Sequence, residues 1–403
     1  MDQLSRRRML ATSGAAGLVL AAGRAAAQAV DLGLAGGLGE RPMTTAFPQK
    51  GAMILQRTRP PLLETPFEVF DDGVFTPNDR FFVRWHQAII PTEIDVDRFR
   101  LTVRGHVDSP LSLSLKALEA MPRAEIAAVN QCSGNSRGFF SPRVAGAQWG
   151  NGAMGNALWS GVPLRVILDR AGIRPGAVAV RIKGMDAPLV DDAPLFMKSL
   201  SLDHARDGEV MLAFGMNGAG LPLLNGAPLR LVVPGWYSTY WVKMVDDIEV
   251  LAQPDDNYWT TTAYRIPDTP GADVRPGQTG FGLVPINRMV PRSFVTNLRE
   301  GGKVAQGGEI ALRGIAFGGD CGVARVEIST DGGATWREAT LGPDEGRYGF
   351  RRWQATWRPD GRGTRVIKVR CTNDNDVIQP DAATWNGSGF MRNVVETVSV
   401  TVS

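Results

Sequence analysis

Asn130-Gln131-Cys132-Ser133-Gly134-Asn135-Ser136-Arg137 closes an apolar run and opens a stretch of small, polar, turn-forming residues. A residue placed there projects from the end of a strand into a cleft. Arg137 and the turn's amides can hold the Cys132 thiol as thiolate, the form that ligates a metal or attacks an electrophile. Taken alone, the octet reads more readily as an inert buried cysteine, because free cysteine behaves as a small hydrophobe.

The rest of the chain narrows what Cys132 can be. The other cysteines, Cys321 and Cys371, share a C-terminal region where a disulfide is permitted but not deducible, and two unpaired buried thiols fit as well. With only His86, His106 and His204, a cysteine protease is poorly supplied with a base. Zinc and iron–sulfur sites want several closely spaced Cys or His ligands, and neither these nor a Cys-x-x-Cys-His haem attachment occurs. A redox metal at Cys132 would take most of its ligands from a cofactor.

Two further groups stand out. In Phe81-Phe82-Val83-Arg84-Trp85-His86, strand alternation puts Arg84 and His86 on one face, a pairing suited to an oxyanion and equally to an exposed Arg beside a satisfied His. Asn257-Tyr258-Trp259-Thr260-Thr261-Thr262-Ala263-Tyr264-Arg265 is rich in aromatics, which serve packing more often than chemistry.

At 403 residues the chain has room for two domains, each with its own core. Lys and Arg outnumber Asp and Glu by only 44 to 41, with no dense basic block past the N-terminus, so no field built for nucleic acid exists. Ser5-Arg6-Arg7-Arg8-Met9-Leu10 and the Ala/Gly-rich run to Ala29 read as a twin-arginine export signal over residues 1–29. The apolar stretch from Met9 to Ala22 is too short for a comfortable membrane anchor, so the mature chain is expected in the periplasm without a membrane span.

Residues 30 to about 75 read as an irregular, Pro- and Gly-punctuated lead lying over a later domain. Strands are expected at Phe99–Val107 and Leu229–Val233, and short helices at Leu115–Met121 and Pro163–Ala171, which makes residues 30–280 an α+β domain. No Gly-rich phosphate loop is present, which disfavours a nucleotide enzyme. Glu309–Arg313, Val323–Ser329, Trp353–Trp357 and Thr364–Val369 alternate like half-buried strands, so residues 281–403 fit an immunoglobulin-like β-sandwich. Pro267, Pro270 and Pro276 mark the crossover.

Arg84-Trp85-His86, Gln131-Cys132-Ser133-Gly134-Asn135 with Arg137, and the spacing from Trp259 to Tyr264 together resemble the sulfite oxidase family, in the same order. The resemblance continues through Trp149-Gly150-Asn151-Gly152, Gly215-Met216-Asn217-Gly218 and Pro228–Gly235. It extends into Ser329–Trp336 and Trp385-Asn386 of the second domain. It implies a sulfite-oxidase-type molybdopterin-binding domain followed by a dimerisation-type β-sandwich. One molybdenum-molybdopterin would be bound per chain, with Cys132 the one protein ligand to the metal. Arg84, Arg137 and Tyr264 would line the substrate pocket, with Arg392 adding a third positive charge. His86, Asp186, Asn225, Arg230 and Lys243 would hold the pterin and its phosphate. Asn225 replaces a histidine of animal members and Tyr240 an arginine.

The activity so implied is oxidation of sulfite to sulfate, as in bacterial periplasmic sulfite dehydrogenases. With no haem expected in this chain, electrons would leave to a c-type cytochrome, as bound subunit or diffusing acceptor. A homodimer through the second domain fits the same resemblance. Rival readings keep the cofactor and change the substrate to sulfane sulfur, a sulfoxide or nitrate, or make the chain a cofactor-free binding protein with Cys132 as core.

Overall fold

The computed structural model describes residues 28–34 and 36–403; positions 1–27 of the expected export signal lie outside them. The segment read as an irregular lead is a sheet. Strands β1 (Ala29–Asp31), β2 (Glu40–Thr44), β3 (Met53–Arg57), β4 (Leu62–Glu64) and β5 (Val83–Arg84) pair antiparallel in chain order. β1, β4 and β5 have only two or three residues, and β2 and β3 do not alternate apolar with polar, which is why the period is invisible in the sequence. The sheet nevertheless buries Met53, Leu63, Val83 and Trp85.

Two further sheets carry the first half of the chain. One runs in the order Met197–Ser201, Ala179–Gly184, Val245–Leu251, Leu101–Gly105, Leu111–Leu113, with only the Val245–Leu251/Leu101–Gly105 pair parallel. The other sets Ala219–Gly220, Met211–Met216, Met154–Pro163 and Ala124–Gln131 side by side. The helix Leu164–Ala171 buries Leu164, Ile167, Leu168 and Ala171, an i, i+3, i+4, i+7 stripe facing the core between them. Ser114 caps the helix Leu115–Glu119 by accepting from the Ala117 amide.

The second half is a sandwich of two sheets. Arg292–Val295, Ile310–Phe317, Arg351–Trp357 and Thr340–Leu341 form one; Gly302–Val304, Glu396–Val402, Gly363–Asn373, Val323–Ser329 and Arg337–Glu338 form the other. Leu312, Trp353 and Trp357 meet Val326, Ile328, Ile367, Val369 and Val400 between them. A third apolar cluster, with Phe70, Val129, Met154 and Tyr237 against Phe294, Ile315, Phe317 and Phe350, fuses sandwich to first half. All three cysteines are free, and no helix among the described residues is long and apolar enough to cross a membrane.

Candidate active site

The strand Ala124–Gln131 becomes fully buried toward its end and delivers Cys132 into a tight turn. The Cys132 amide donates to the Ala153 carbonyl at 2.9 Å, and its own carbonyl accepts from the Asn135 amide at 2.9 Å. Asn135 Oδ1 accepts from the Ala153 amide at 2.9 Å, and the Ser136 hydroxyl donates to Asn151 Oδ1 at 2.6 Å. The loop that receives these bonds is itself held by buried Glu64, whose carboxylate accepts from the Gly150 and Gly152 amides at 3.1 and 2.9 Å. Burial pushes the Glu64 carboxyl up, and those amides with Gln56 oppose it.

Arg137 folds back over this turn. A Cβ at Gly134, Gly146 or Gly389 would lie 2.5–2.7 Å from its guanidinium group, so only glycine admits the side chain at these points. Its Nε donates to the Gly389 carbonyl at 2.9 Å and its charge sits 5.0 Å from the Phe390 ring centroid, both from the sandwich half. The Met391 amide donates to the Ser133 carbonyl at 3.0 Å, a second tie across the same seam. Burial lowers the Arg137 pKa, opposed by Cys132 and Tyr264.

Two cavities meet at Cys132. A narrow inner one is lined by Arg84, His86, Cys132, Asn225, Arg230, Lys243 and Tyr264, together with Asn130, Ser133, Phe196 and Thr239. A wider outer funnel, open to solvent, is walled by Arg41, Arg57, Arg84 and Arg137 with Trp149 and Phe390. Arg84, Cys132 and Tyr264 belong to both and form the neck. Among the described residues no carboxylate lines either one.

Arg84 and His86 do share a cavity, as strand alternation implied. The aromatic segment does both jobs: Trp259 packs against Phe196 and His86, while Tyr264 stacks on Phe390 at 5.2 Å and hydrogen-bonds through its hydroxyl with His86 Nε2. Tyr264 sits at φ 57°, a left-handed backbone that a bulky residue adopts only when its surroundings impose it. Burial and the charges of Arg84, Lys243 and Lys198 hold His86 well below the usual imidazole range, so it is neutral.

Two expected residues lie elsewhere. Arg392 lines neither cavity: its guanidinium is buried over the Phe139 ring, 3.7 Å from Glu396. The sandwich sends Phe390 and Ser388 into the funnel instead. Asp186 is also off the cavity wall, buried near Lys243; burial raises its carboxyl, and Lys243 opposes that rise.

Behind the wall of the inner cavity lie two cations that the sequence did not reveal. Lys50 donates to Asn225 Oδ1 at 2.5 Å and to the Asn78 and Phe81 carbonyls, and burial pushes it down to about 7. Lys198 donates to the Trp259 carbonyl at 2.6 Å and lies 4.5 Å from the Tyr240 ring, lowered by burial to about 8. Lys198 alternates in phase with Leu200 on the buried face of its strand, a legible signal; Lys50 has no periodic context. Arg230, lowered by burial to about 9, stacks on Trp159, and Lys243 donates to the Arg84 carbonyl at 2.8 Å.

Residues 86–259 match the family model described as oxidoreductase molybdopterin binding domain, and residues 284–403 the Mo-co oxidoreductase dimerisation domain. Sulfite oxidase of Gallus gallus is 32% identical over 364 residues, covering 85% of this chain and 77% of that protein. The chain belongs to the sulfite oxidase family. Mitochondrial sulfite oxidase of Homo sapiens is 34% identical over 371 residues, and the chain spans 66% of that protein's length. Among solved structures, the sulfane dehydrogenase SoxCD of Paracoccus pantotrophus superposes with a TM-score of 0.71 at 25% identity, over 85% of this chain and 87% of that one. As a sulfite oxidase family member the chain is a molybdopterin oxidoreductase with a dimerisation-type second domain.

The inner cavity fits that family's cofactor. Arg84 Nη1, Arg230 Nε, Asn130 Nδ2, Ser133 Oγ and Thr239 Oγ1 are buried without a hydrogen-bond partner among the described residues. Unpaired buried donors beside buried cations call for an acceptor-rich anion, which a pterin phosphate supplies. Cys132 is the one thiol there, and no three His, Cys, Asp or Glu converge as a ligand group among the described residues.

Proposed function

We propose that this chain is a periplasmic sulfite dehydrogenase, oxidising sulfite to sulfate with a molybdenum-pterin centre held through Cys132 and passing electrons to a c-type cytochrome. The position of Cys132 carries the reading: it stands at the neck between a cavity lined by cations and donors and a funnel lined by arginines. His86, Asn225, Arg230 and Lys243 would hold the pterin with Lys50 behind Asn225, and Cys132 would ligate the metal. When bound, the centre supplies the two-electron oxidation and the oxygen transfer.

The chain's own residues do the rest. Arg84 faces both cavities and offers its fork to an oxyanion, while Arg137, locked by the Gly389 carbonyl, adds charge from the funnel side. Burial raises the Tyr264 phenol, so its hydroxyl stays protonated and serves as a hydrogen-bond donor oriented by His86. Trp149 and Phe390 exclude water from one side of the neck, which strengthens the arginines' hold on a charged substrate.

Export rests on Arg6-Arg7-Arg8, and pairing of two copies on the dimerisation-type domain at 284–403. A second reading, oxidation of sulfane sulfur, is favoured by the breadth of the funnel and by the likeness to the Paracoccus sulfane dehydrogenase. Molybdenum-loaded protein assayed with sulfite, then thiosulfate, against cytochrome c or ferricyanide separates the two. Absence of sulfite-dependent reduction overturns the first reading.

A further inference from the structure

Leu62 pairs with Arg57 on one side and with Arg84 on the other, so three directly opposed residues run across β3, β4 and β5. Residues directly opposite on paired strands point to the same face, and all three line the funnel. Adjacent strands lie about 4.8 Å apart, which sets Arg57 roughly 10 Å from Arg84 across the apolar Leu62. The Arg57 Nε donates to the Pro60 carbonyl at 3.3 Å, and its two terminal nitrogens make no hydrogen bond among the described residues. Arg41 is tied to Gln56 and to the Leu38 and Glu40 carbonyls, so it stands behind Arg57 as fixed charge.

We propose that Arg57 forms an outer anion subsite at the rim of the funnel, where a small dianionic sulfur oxyanion is captured before it passes to Arg84. This rests on the reading of the funnel as the route of an anionic substrate. Arg57 has an unengaged guanidinium fork, an arginine-lined path inward, and no carboxylate on that path to compete for it. An anion held at the rim is screened by salt, whereas one held by the buried neck is screened much less. The subsite therefore acts on capture and on product retention, and only weakly on the chemical step.

The test uses full-length molybdenum-loaded protein with Arg57→Gln, Arg57→Lys and, as a control in the sandwich, Arg358→Gln. In Arg57→Gln the sulfite KM rises about threefold with a much smaller change in kcat, and kcat/KM loses part of its salt dependence. Product inhibition by sulfate weakens in parallel, Arg57→Lys restores most of each effect, and the control changes none. Calorimetric titration of inorganic sulfate gives a readout independent of turnover, with Arg57→Gln weaker than wild type by a similar factor. If sulfite is not oxidised but sulfate binding still falls in Arg57→Gln, the subsite stands and the substrate reading fails. Unchanged sulfate affinity and salt dependence in Arg57→Gln overturn the subsite.

Discussion

The Arg292 guanidinium, in the first strand of the sandwich, donates to the Ser136 hydroxyl at 3.0 Å and so reaches the turn that carries Cys132. The same group pairs with Glu396 at 2.5 Å and is fully buried. Removing Arg292 leaves Glu396 with only the more distant Arg392, so Arg292→Ala should destabilise by about 3 kcal/mol. Ser136→Ala, which removes only a hydroxyl partner, should cost about 1–2 kcal/mol. Urea unfolding of both variants gives the comparison, and equal effects would contradict this account.

Cys132→Ser substitutes a hydroxyl for the thiol in a turn whose geometry rests on backbone and Asn135 bonds. The variant should keep its fold, read by near-UV circular dichroism, and lose its molybdenum, read by metal analysis. Retained metal would remove Cys132 from the ligand set.

Arg84 and Tyr264 share the neck but should separate kinetically. On the proposed sulfite reading, Arg84→Gln removes charge that would bind substrate as well as stabilise the reaction, so sulfite KM should rise and kcat fall together. Tyr264→Phe keeps the ring on Phe390 and deletes only the hydroxyl, so kcat should fall by about 10²-fold with a smaller change in KM. Matching profiles for the two variants would argue against distinct roles.

Asp71 joins the halves, accepting from Arg313 Nη2 at 2.5 Å and from Thr296 at 2.8 Å. Burial would raise its carboxyl, but the bonds from Arg313 and Thr296 outweigh it and hold the pKa below the ordinary value. A depressed acid stabilises the fold above its unfolded pKa, about 3.9, and loses that contribution as pH falls through the folded one. For a solvent-screened pair the contribution is about 1 kcal/mol. The stability difference between wild type and Asp71→Asn should therefore be constant at neutral pH and shrink below about pH 4. A difference independent of acid would refute the assignment.

Much of the architecture could be read from the sequence where elements are long enough to show a period. Val323–Ser329 alternates over seven residues and is a strand with those same limits, and the stripe of Leu164–Ala171 marks its helix. The N-terminal strands are too short or lack an alternating pattern, so their sheet, and with it Arg41, Lys50 and Arg57, escaped. The position of Arg57 depends on which residue faces Leu62, and register is a property of three paired strands rather than of any one. Motif order brought Arg84, His86, Cys132, Asn225, Arg230, Lys243 and Tyr264 to one cavity and Arg137 to its mouth. Arg392 shows the limit, since a local motif carries no information about the packing that turns its side chain over Phe139 and off both cavity walls.

The bond from Arg137 to the Gly389 carbonyl spans 252 residues of sequence. A nascent chain emerging from the ribosome can form the cysteine turn early, but the funnel lacks its sandwich-side wall until Ser388 and Phe390 have been translated and folded against Arg137. The inner cavity, lined by residues 82–264 alone, can therefore take shape before the outer funnel is complete.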